Sequence, residues 1–265
     1  MILFLAFLWA LISELPSLIP AIEQNLWLSL YSEGIAIGLL WWHYRSQDEV
    51  ILFARKSLKQ LYLIGFLSGI VWFSFIWLIC VLLKGFQVTF LFKWTNLGQI
   101  LLYLGGFMVQ GMFEELLCRG FIMGKILQKN LPITAIVVNS LCFAFAHCAN
   151  DGINLLAWIN LLIFALTMSI LRLQTESLWL IGAFHSAWNF AEGVIFGTSV
   201  SGIASFDLIF KSVSRKNHPL INGGIFGIEA SIVDLICGIA LLIIVSYRYY
   251  IKSSPANLHK MDQQD

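Results

Sequence analysis

Charged side chains are scarce in this sequence. Asp, Glu, Lys and Arg make up 12% of the 265 residues, whereas hydrophobic residues make up 59% and the mean hydropathy is +0.82. Soluble domains contain about a quarter charged residues, so the scarcity excludes an ordinary soluble domain. The composition predicts an all-α fold, a polytopic transmembrane helical bundle that lies in the lipid bilayer.

An excess of positive charge is also missing. The chain has 16 Lys and Arg against 15 Asp and Glu, and its formal net charge is +1. Proteins that bind nucleic acid need a basic surface to meet the phosphates. We therefore expect no nucleic-acid partner.

The sequence lacks paired cysteines and internal repeats. The five cysteines, Cys80, Cys118, Cys142, Cys148 and Cys237, form no C-x-x-C pair, and several of them lie in apolar runs. We interpret them as small buried hydrophobic residues rather than a disulfide framework or a zinc site. Without a repeat, an inverted-repeat transporter has no support.

Long hydrophobic runs, by contrast, are frequent. A membrane-spanning helix needs about 20 apolar residues. This rule predicts eight spans: 2–20, 26–44, 61–83, 97–128, 132–150, 153–171, 176–198 and 221–247. Four glycine pairs at i and i+4 within these runs, Gly34/Gly38, Gly65/Gly69, Gly120/Gly124 and Gly193/Gly197, favour close packing of helices within the chain.

The fourth predicted span contains three charged residues close together. Residues 97–113 have no charge, and Glu114, Glu115 and Arg119 follow. A charge in hydrocarbon costs at least about 2.5 kcal/mol, so ionisable groups there are functional candidates. Glu115 and Arg119 are i and i+4 and should form an ion pair, whereas Glu114 points about 100° away and has no local counter-charge. Such a carboxyl suits proton transfer.

A histidine on the next predicted helix lies at the depth of Glu114. The turn between the two helices centres near Asn130 and Leu131, just before Pro132. Glu114 precedes this centre by about 16 residues and His147 follows it by about the same number, so an antiparallel hairpin brings the two residues together.

The seventh predicted span adds His185 and Asn189, which are i and i+4 and share one helix face. Their N–H groups can stabilise an oxyanion. Alternatively, His185 can bind a metal ion while Asn189 supports this ligand from outside the coordination sphere. His147 and His185 are candidate zinc ligands, yet the usual His-Glu-x-x-His signature is absent. Metal dependence therefore stays open.

The remaining buried polar residues are less informative. Asn139, Asn160 and Gln110 are typical of hydrogen bonds between helices. Three acidic residues, Glu33, Glu229 and Asp234, are candidates for the lining of a cavity, but the sequence indicates no partner for them.

The ordered set of motifs resembles the CPBP family of intramembrane proteases, also called the Abi or CAAX-protease family. It comprises Glu114-Glu115-x-x-x-Arg119, Phe143-x-x-x-His147 and His185-x-x-x-Asn189. The resemblance implies a catalytic core on the fourth, fifth and seventh helices. We divide the chain into N-terminal helices 1–96, a protease core 97–198, and a region 199–265 with a loop, the last helix and a polar tail.

The resemblance also implies roles for these residues. Glu114 would activate a water molecule, and His147 would help to hold that water. His185 and Asn189 would stabilise the oxyanion, and Glu115 and Arg119 would support the geometry of the site. The family is often described as metalloproteases, while a metal-free glutamate mechanism is also argued for it.

We therefore expect an intramembrane endopeptidase that acts on a membrane-embedded or lipidated peptide. The short polar tail and the lack of a large soluble domain favour the plasma membrane of a prokaryote. Two alternatives stay open at this point. One is a non-catalytic membrane scaffold or bacteriocin-immunity protein with the same fold, and the other is a proton-coupled transporter with an acid–histidine relay.

Overall fold

The computed structural model describes residues 1–23, 25–47, 50 and 58–252. The predicted polar tail from residue 253 onwards lies outside the described residues. Eight helices of 13 to 25 residues are present in the described part: α1 (Ile2–Glu14), α2 (Leu26–Tyr44), α3 (Leu58–Leu82), α4 (Leu97–Glu115), α5 (Pro132–Ala146), α6 (Leu155–Thr175), α7 (Leu178–Phe190) and α8 (Ile232–Lys252). Shorter helical turns cover Leu15–Leu18, Pro20–Glu23, Trp94–Asn96, Pro219–Asn222 and Ile228–Ala230.

The helical membrane bundle predicted from composition is confirmed. By length and composition, four helical segments in the described part of the chain can cross a membrane: Leu58–Leu82, Trp94–Leu127, Leu155–Thr175 and Ile232–Ile251. Two shorter apolar helices, α1 and α5, accompany them. Each of the eight predicted runs overlaps one of the eight long helices, but four of these helices are shorter or more polar than the rule for a span requires.

Helix α7 is the central helix of the bundle. Ten successive residues from Ile181 to Phe190 are all buried, although they include His185 and Asn189. Helices α3 and α4 pack against α7, α2 packs against α4, and α6 packs against both α5 and α8. Polar residues of α7 therefore face other helices rather than lipid, which explains how so short a helix tolerates them.

Close contact between α3 and α7 depends on two glycines. A Cβ atom on Gly65 would lie 2.2 Å from the carbonyl oxygen of Leu180, and one on Gly69 would lie 2.4 Å from that of Phe184. Both distances are shorter than any real contact, so the two helices approach this closely because the side chains are absent. The predicted packing role of this glycine pair is confirmed.

Two predicted spans end elsewhere than the hydrophobic runs indicate. The first run, 2–20, is α-helical only to Glu14, and the tighter turn Leu15–Leu18 follows, because Pro16 lacks a donor N–H. In the last run, 221–247, the helix begins at Ile232. Gly223, Gly224 and Gly227 adopt positive φ angles before it, and the Ser231 hydroxyl accepts the N–H of Asp234 as a cap.

A small antiparallel sheet was not predicted. Strand β1 (Phe86–Phe90) follows α3 and pairs with β2 (Phe210–Ser214), with Phe86 opposite Ser214 and Phe90 opposite Phe210. The sheet ties the segment after α3 to the long connection between α7 and α8. Because these strands are far apart in sequence, local patterns give no sign of their pairing.

One buried core joins all three predicted regions of the chain. Phe73 from residues 1–96, Phe121 from 97–198 and Phe226 from 199–265 belong to the same cluster of buried apolar side chains. The division at residues 96 and 198 stays a prediction.

Most predictions about isolated polar and sulfur-containing residues hold. Asn139 accepts a hydrogen bond from Ser169 on α6, and Asn160 donates to the carbonyl oxygens of Glu229 and Ser231 before α8. All five cysteines are free thiols, and Cys80, Cys118 and Cys237 are buried as expected, while Cys142 is half-buried. The exception is Cys148, which is exposed because it lies just beyond the end of α5.

Candidate active site

The residues at the end of α4 depart from regular α-helical geometry. Glu115 is the last α-helical residue, and Leu116–Ile122 form a π-helical segment that contains Arg119. A second π-helical segment, Ala191–Ile195, follows α7 directly after the His185–Asn189 motif. Such wider turns occur often at functional sites. The hydrophobic pattern of the sequence gives no sign of them.

Glu115 and Arg119 form the predicted ion pair. Arg119 Nη1 donates to Glu115 Oε1 at 2.8 Å, and both side chains are fully buried. The Arg119 guanidinium also lies over the ring of Phe143, with its central carbon 4.5 Å from the ring centroid. Arg119 therefore joins α4 to α5 while Glu115 neutralises it.

The same oxygen of Glu115 orients His185. Nδ1 of His185 donates to Glu115 Oε1 at 3.0 Å, so this carboxylate connects α4 to α7. The rings of Phe143 and Phe164 pack against the imidazole, with centroid distances of 5.8 and 5.1 Å. His185 is thus fixed in orientation, with its Nε2 atom facing away from Glu115.

Glu114 lies close to both histidines, although the depth argument predicts only its approach to His147. Its Oε2 atom lies 4.0 Å from Nε2 of His147 and 3.8 Å from Nε2 of His185. His147 is the capping residue at the end of α5, and its Nδ1 donates to the Phe143 carbonyl oxygen at 2.8 Å. Because Nδ1 of each histidine is bonded to the protein, each Nε2 faces the space beside Glu114.

Asn189 reaches Glu114 through Gln110. Asn189 Nδ2 donates to Gln110 Oε1 at 3.0 Å, and Gln110 Nε2 donates to Glu114 Oε1 at 2.9 Å. The prediction that Gln110 bonds between helices is confirmed, but its contact with Glu114 was missed. The signal was present in the sequence, since Gln110 and Glu114 are i and i+4 on one helix.

All four predicted catalytic residues line one cavity. The cavity has a volume of about 540 Å³, and its lining includes Glu114, His147, His185 and Asn189. Glu115 and Arg119 do not line the cavity, in keeping with a supporting role: Glu115 contacts His185 on the side away from the cavity, and Arg119 pairs with Glu115. The structure therefore brings the predicted set together from α4, α5 and α7.

Two acidic residues without a predicted partner also line this cavity. They are Glu33 on α2 and Glu229 in the turn before α8. Ser201 lines the cavity as well, and its hydroxyl donates to Glu229 Oε2 in a short hydrogen bond. Burial raises the pKa of the Glu229 carboxyl, which lies outside the membrane-spanning helices, although the Ser201 hydrogen bond opposes this shift. Asp234 lines a neighbouring small cavity instead, together with Glu229.

The separations of Glu114 from the two histidines are longer than those between two ligands of one zinc ion. Two ligands of a tetrahedral zinc, with bonds of about 2.0–2.2 Å, lie roughly 3.4 Å apart, which is closer than the separations from Glu114 to either histidine. Among the described residues, no group of three or more His, Cys, Asp or Glu side chains is arranged to hold a metal ion. We therefore assign no chemical step to a metal, and zinc dependence stays an untested expectation.

Comparison with known proteins supports the resemblance seen in the motifs. Residues 96–191 match the family model described as type II CAAX prenyl endopeptidase Rce1-like. This segment is about a third of the chain, and it contains all six residues of the predicted site. Comparison with curated proteins and with solved structures gave no significant match.

Proposed function

We propose that the chain is an intramembrane endopeptidase that uses Glu114 as a general base, and the match of residues 96–191 to the CAAX endopeptidase family model supports this proposal. The observation that supports this function best is the convergence of one carboxylate and two imidazoles in a single cavity. Glu114 Oε2 lies within 4.0 Å of Nε2 of both His147 and His185, inside a bundle of apolar helices.

The first step we propose is attack of water on the scissile carbonyl carbon. A water molecule with hydrogen bonds of about 2.8 Å to Glu114 Oε2 and to a histidine Nε2 fits separations of 3.8 to 4.0 Å. His147 holds this water, and Glu114 takes its proton as the new C–O bond forms. Gln110 keeps the Glu114 carboxylate in place through its bond to Oε1.

The second step is collapse of the tetrahedral intermediate. His185 in its protonated form donates Nε2–H to the oxyanion, and Asn189 donates the second hydrogen of its amide group, since the first bonds to Gln110. Glu114 then gives its proton to the leaving nitrogen as the C–N bond breaks. Glu115 holds His185 in the required orientation through Nδ1.

The substrate we propose is a membrane-embedded or lipidated peptide. The cavity is lined by apolar side chains of α1 and α2, such as Phe7, Leu11, Leu26 and Leu30, in addition to the polar site. An extended peptide in lipid can reach Glu114 along this apolar wall. We propose the plasma membrane of a prokaryote as the location.

The test is cleavage of a library of membrane peptides by the detergent-purified protein, with products identified by mass spectrometry. We expect the wild-type protein to cut members of the library and Glu114→Gln to lose at least about a hundredfold in rate, because the variant has no base to accept the proton. Glu192→Gln is the matched control. Glu192 is fully buried in the same bundle but does not line the cavity, so its variant should cut normally.

Two outcomes would oppose the proposal. Full activity in Glu114→Gln would show that another group activates the water. A complete lack of cleavage by the wild-type protein, together with a cellular phenotype that survives Glu114→Ala, would favour a binding or immunity function of the same fold.

A further inference from the structure

The catalytic cavity contains more carboxyl groups than the proposed reaction needs. Among the described residues that line it are four glutamates, Glu14, Glu33, Glu114 and Glu229, and no lysine or arginine. The proposed reaction uses one of these carboxylates, Glu114. Arg119, the basic residue nearest to Glu114 in sequence, is fully buried outside the cavity and is paired with Glu115.

Glu33 presents an unsatisfied oxygen to this space. It lies on α2, within electrostatic range of Glu114. Its Oε2 atom is buried and has no hydrogen-bond partner among the described residues. A buried carboxylate oxygen without a partner costs free energy unless a donor or a cation reaches it.

Glu229 is held at the same cavity by two hydrogen bonds. Its side chain accepts the Ser201 hydroxyl, and its backbone carbonyl accepts Asn160 Nδ2 at 2.8 Å. The residue is only 8% exposed. It is acceptor-only when ionised, so a substrate donor or cation is the chemistry that it fits.

We propose that the cavity selects peptides with a Lys or Arg side chain near the scissile bond, and that Glu33 and Glu229 receive its positive charge. This inference rests on the proposed function, because it defines the substrate class of the same site. A cation offsets the cost of burying the two carboxylates, whereas a neutral side chain leaves that cost in place. The long apolar stems of Lys and Arg also suit a cavity whose other walls are hydrophobic.

Both residues come from outside the matched family region. Glu33 belongs to the N-terminal helices and Glu229 to the turn before α8, whereas the match covers residues 96–191. The chemistry of the reaction and the selection of the substrate therefore come from different parts of the chain.

The experiment compares paired membrane peptides that differ at one position, Lys in one and norleucine in the other. All peptides are acetylated and amidated, and a second norleucine set with a free α-amine separates a terminal charge from a side-chain charge. For each protein variant we measure the ratio of kcat/KM for Lys and norleucine peptides. We also measure peptide binding to Glu114→Gln in detergent, which does not require cleavage.

We expect the wild-type ratio to exceed about ten at one or more positions near the cut. Glu33→Gln and Glu229→Gln should each lower that ratio several-fold. Asp207→Asn is the control, since Asp207 is a carboxyl that pairs with Lys211 and does not line the catalytic cavity, and it should leave the ratio unchanged.

The outcomes separate this inference from the proposed function. Cleavage that depends on Glu114 but shows no preference for Lys would overturn the inference and leave the protease function intact. Lys-selective binding that weakens in Glu33→Gln/Glu114→Gln, without cleavage by the wild type, would support the inference and oppose the protease function. Preference for the free α-amine alone would also overturn the Lys or Arg assignment.

Discussion

At the scale of single residues, one oxygen of Glu115 accepts hydrogen bonds from both Arg119 and His185. This buried contact neutralises the arginine and orients the histidine at once. The pairing of Glu115 with Arg119 could be predicted because both lie on one helix at i and i+4. The bond to His185 could not, since it depends on how α4 and α7 pack.

Replacement of Arg119 should therefore destabilise the protein strongly. Arg119→Leu leaves Glu115 buried without its main counter-charge, and removal of one partner of a buried pair costs about 3–5 kcal/mol. Denaturation in detergent would measure this loss. As a control, Lys211→Ala removes an exposed i,i+4 pair with Asp207 and should cost less than about 1 kcal/mol. Equal stability of the two variants would contradict this interpretation of Arg119.

Gln110 gives a second prediction at this scale. Gln110→Ala removes the donor to Glu114 and the acceptor for Asn189, and a hydrogen bond to a charged group contributes about 1.5–3 kcal/mol. We expect kcat to fall about 10- to 100-fold. For the double variant Gln110→Ala/Asn189→Ala, the rise in the activation free energy should be smaller than the sum of the rises in the two single variants. Strict additivity would mean that the two residues act independently.

At the scale of helices, hydrophobic run lengths located all eight long helices but not their ends. Pro16 and the glycines before Ile232 determine where α1 ends and where α8 begins. The π-helical segments beside Glu115 and Asn189 and the β1–β2 pair could not be predicted either. These features depend on contacts between segments that are far apart in sequence, and the local hydrophobic pattern contains no information about such contacts.

The contact of α3 with α7 provides a test at the helix scale. Ala at Gly65 or Gly69 should push α7 away and lower the free energy of unfolding by about 1–3 kcal/mol, because each new Cβ would meet backbone atoms. Activity should fall too, since α7 contains His185 and Asn189. Gly38→Ala is the control. A Cβ there has nothing within 4 Å, so the variant should be as stable as the wild type or more stable. Tolerance of Ala at both Gly65 and Gly69 would rule out the close packing described above.

At the scale of the whole molecule, the matched region supplies the groups that we propose react, and the flanking helices complete the cavity. The sequence was sufficient to identify Glu114, His147, His185 and Asn189, because the three motifs occur in order on three helices. It was not sufficient to place Glu33 and Glu229 beside them. Their positions depend on how α2 and the turn before α8 pack on the core, which no motif in these segments indicates.

The central claim is our proposal that Glu114 activates water as the general base, with no chemical step assigned to a metal ion. The most direct measurement is the rate of peptide cleavage by purified wild-type protein and Glu114→Gln, each with a chelator and then with added zinc. We predict that wild-type cleavage persists under the chelator and that Glu114→Gln stays inactive in every condition. Loss of wild-type cleavage under the chelator, restored by zinc, would contradict the claim and make His147 and His185 metal ligands.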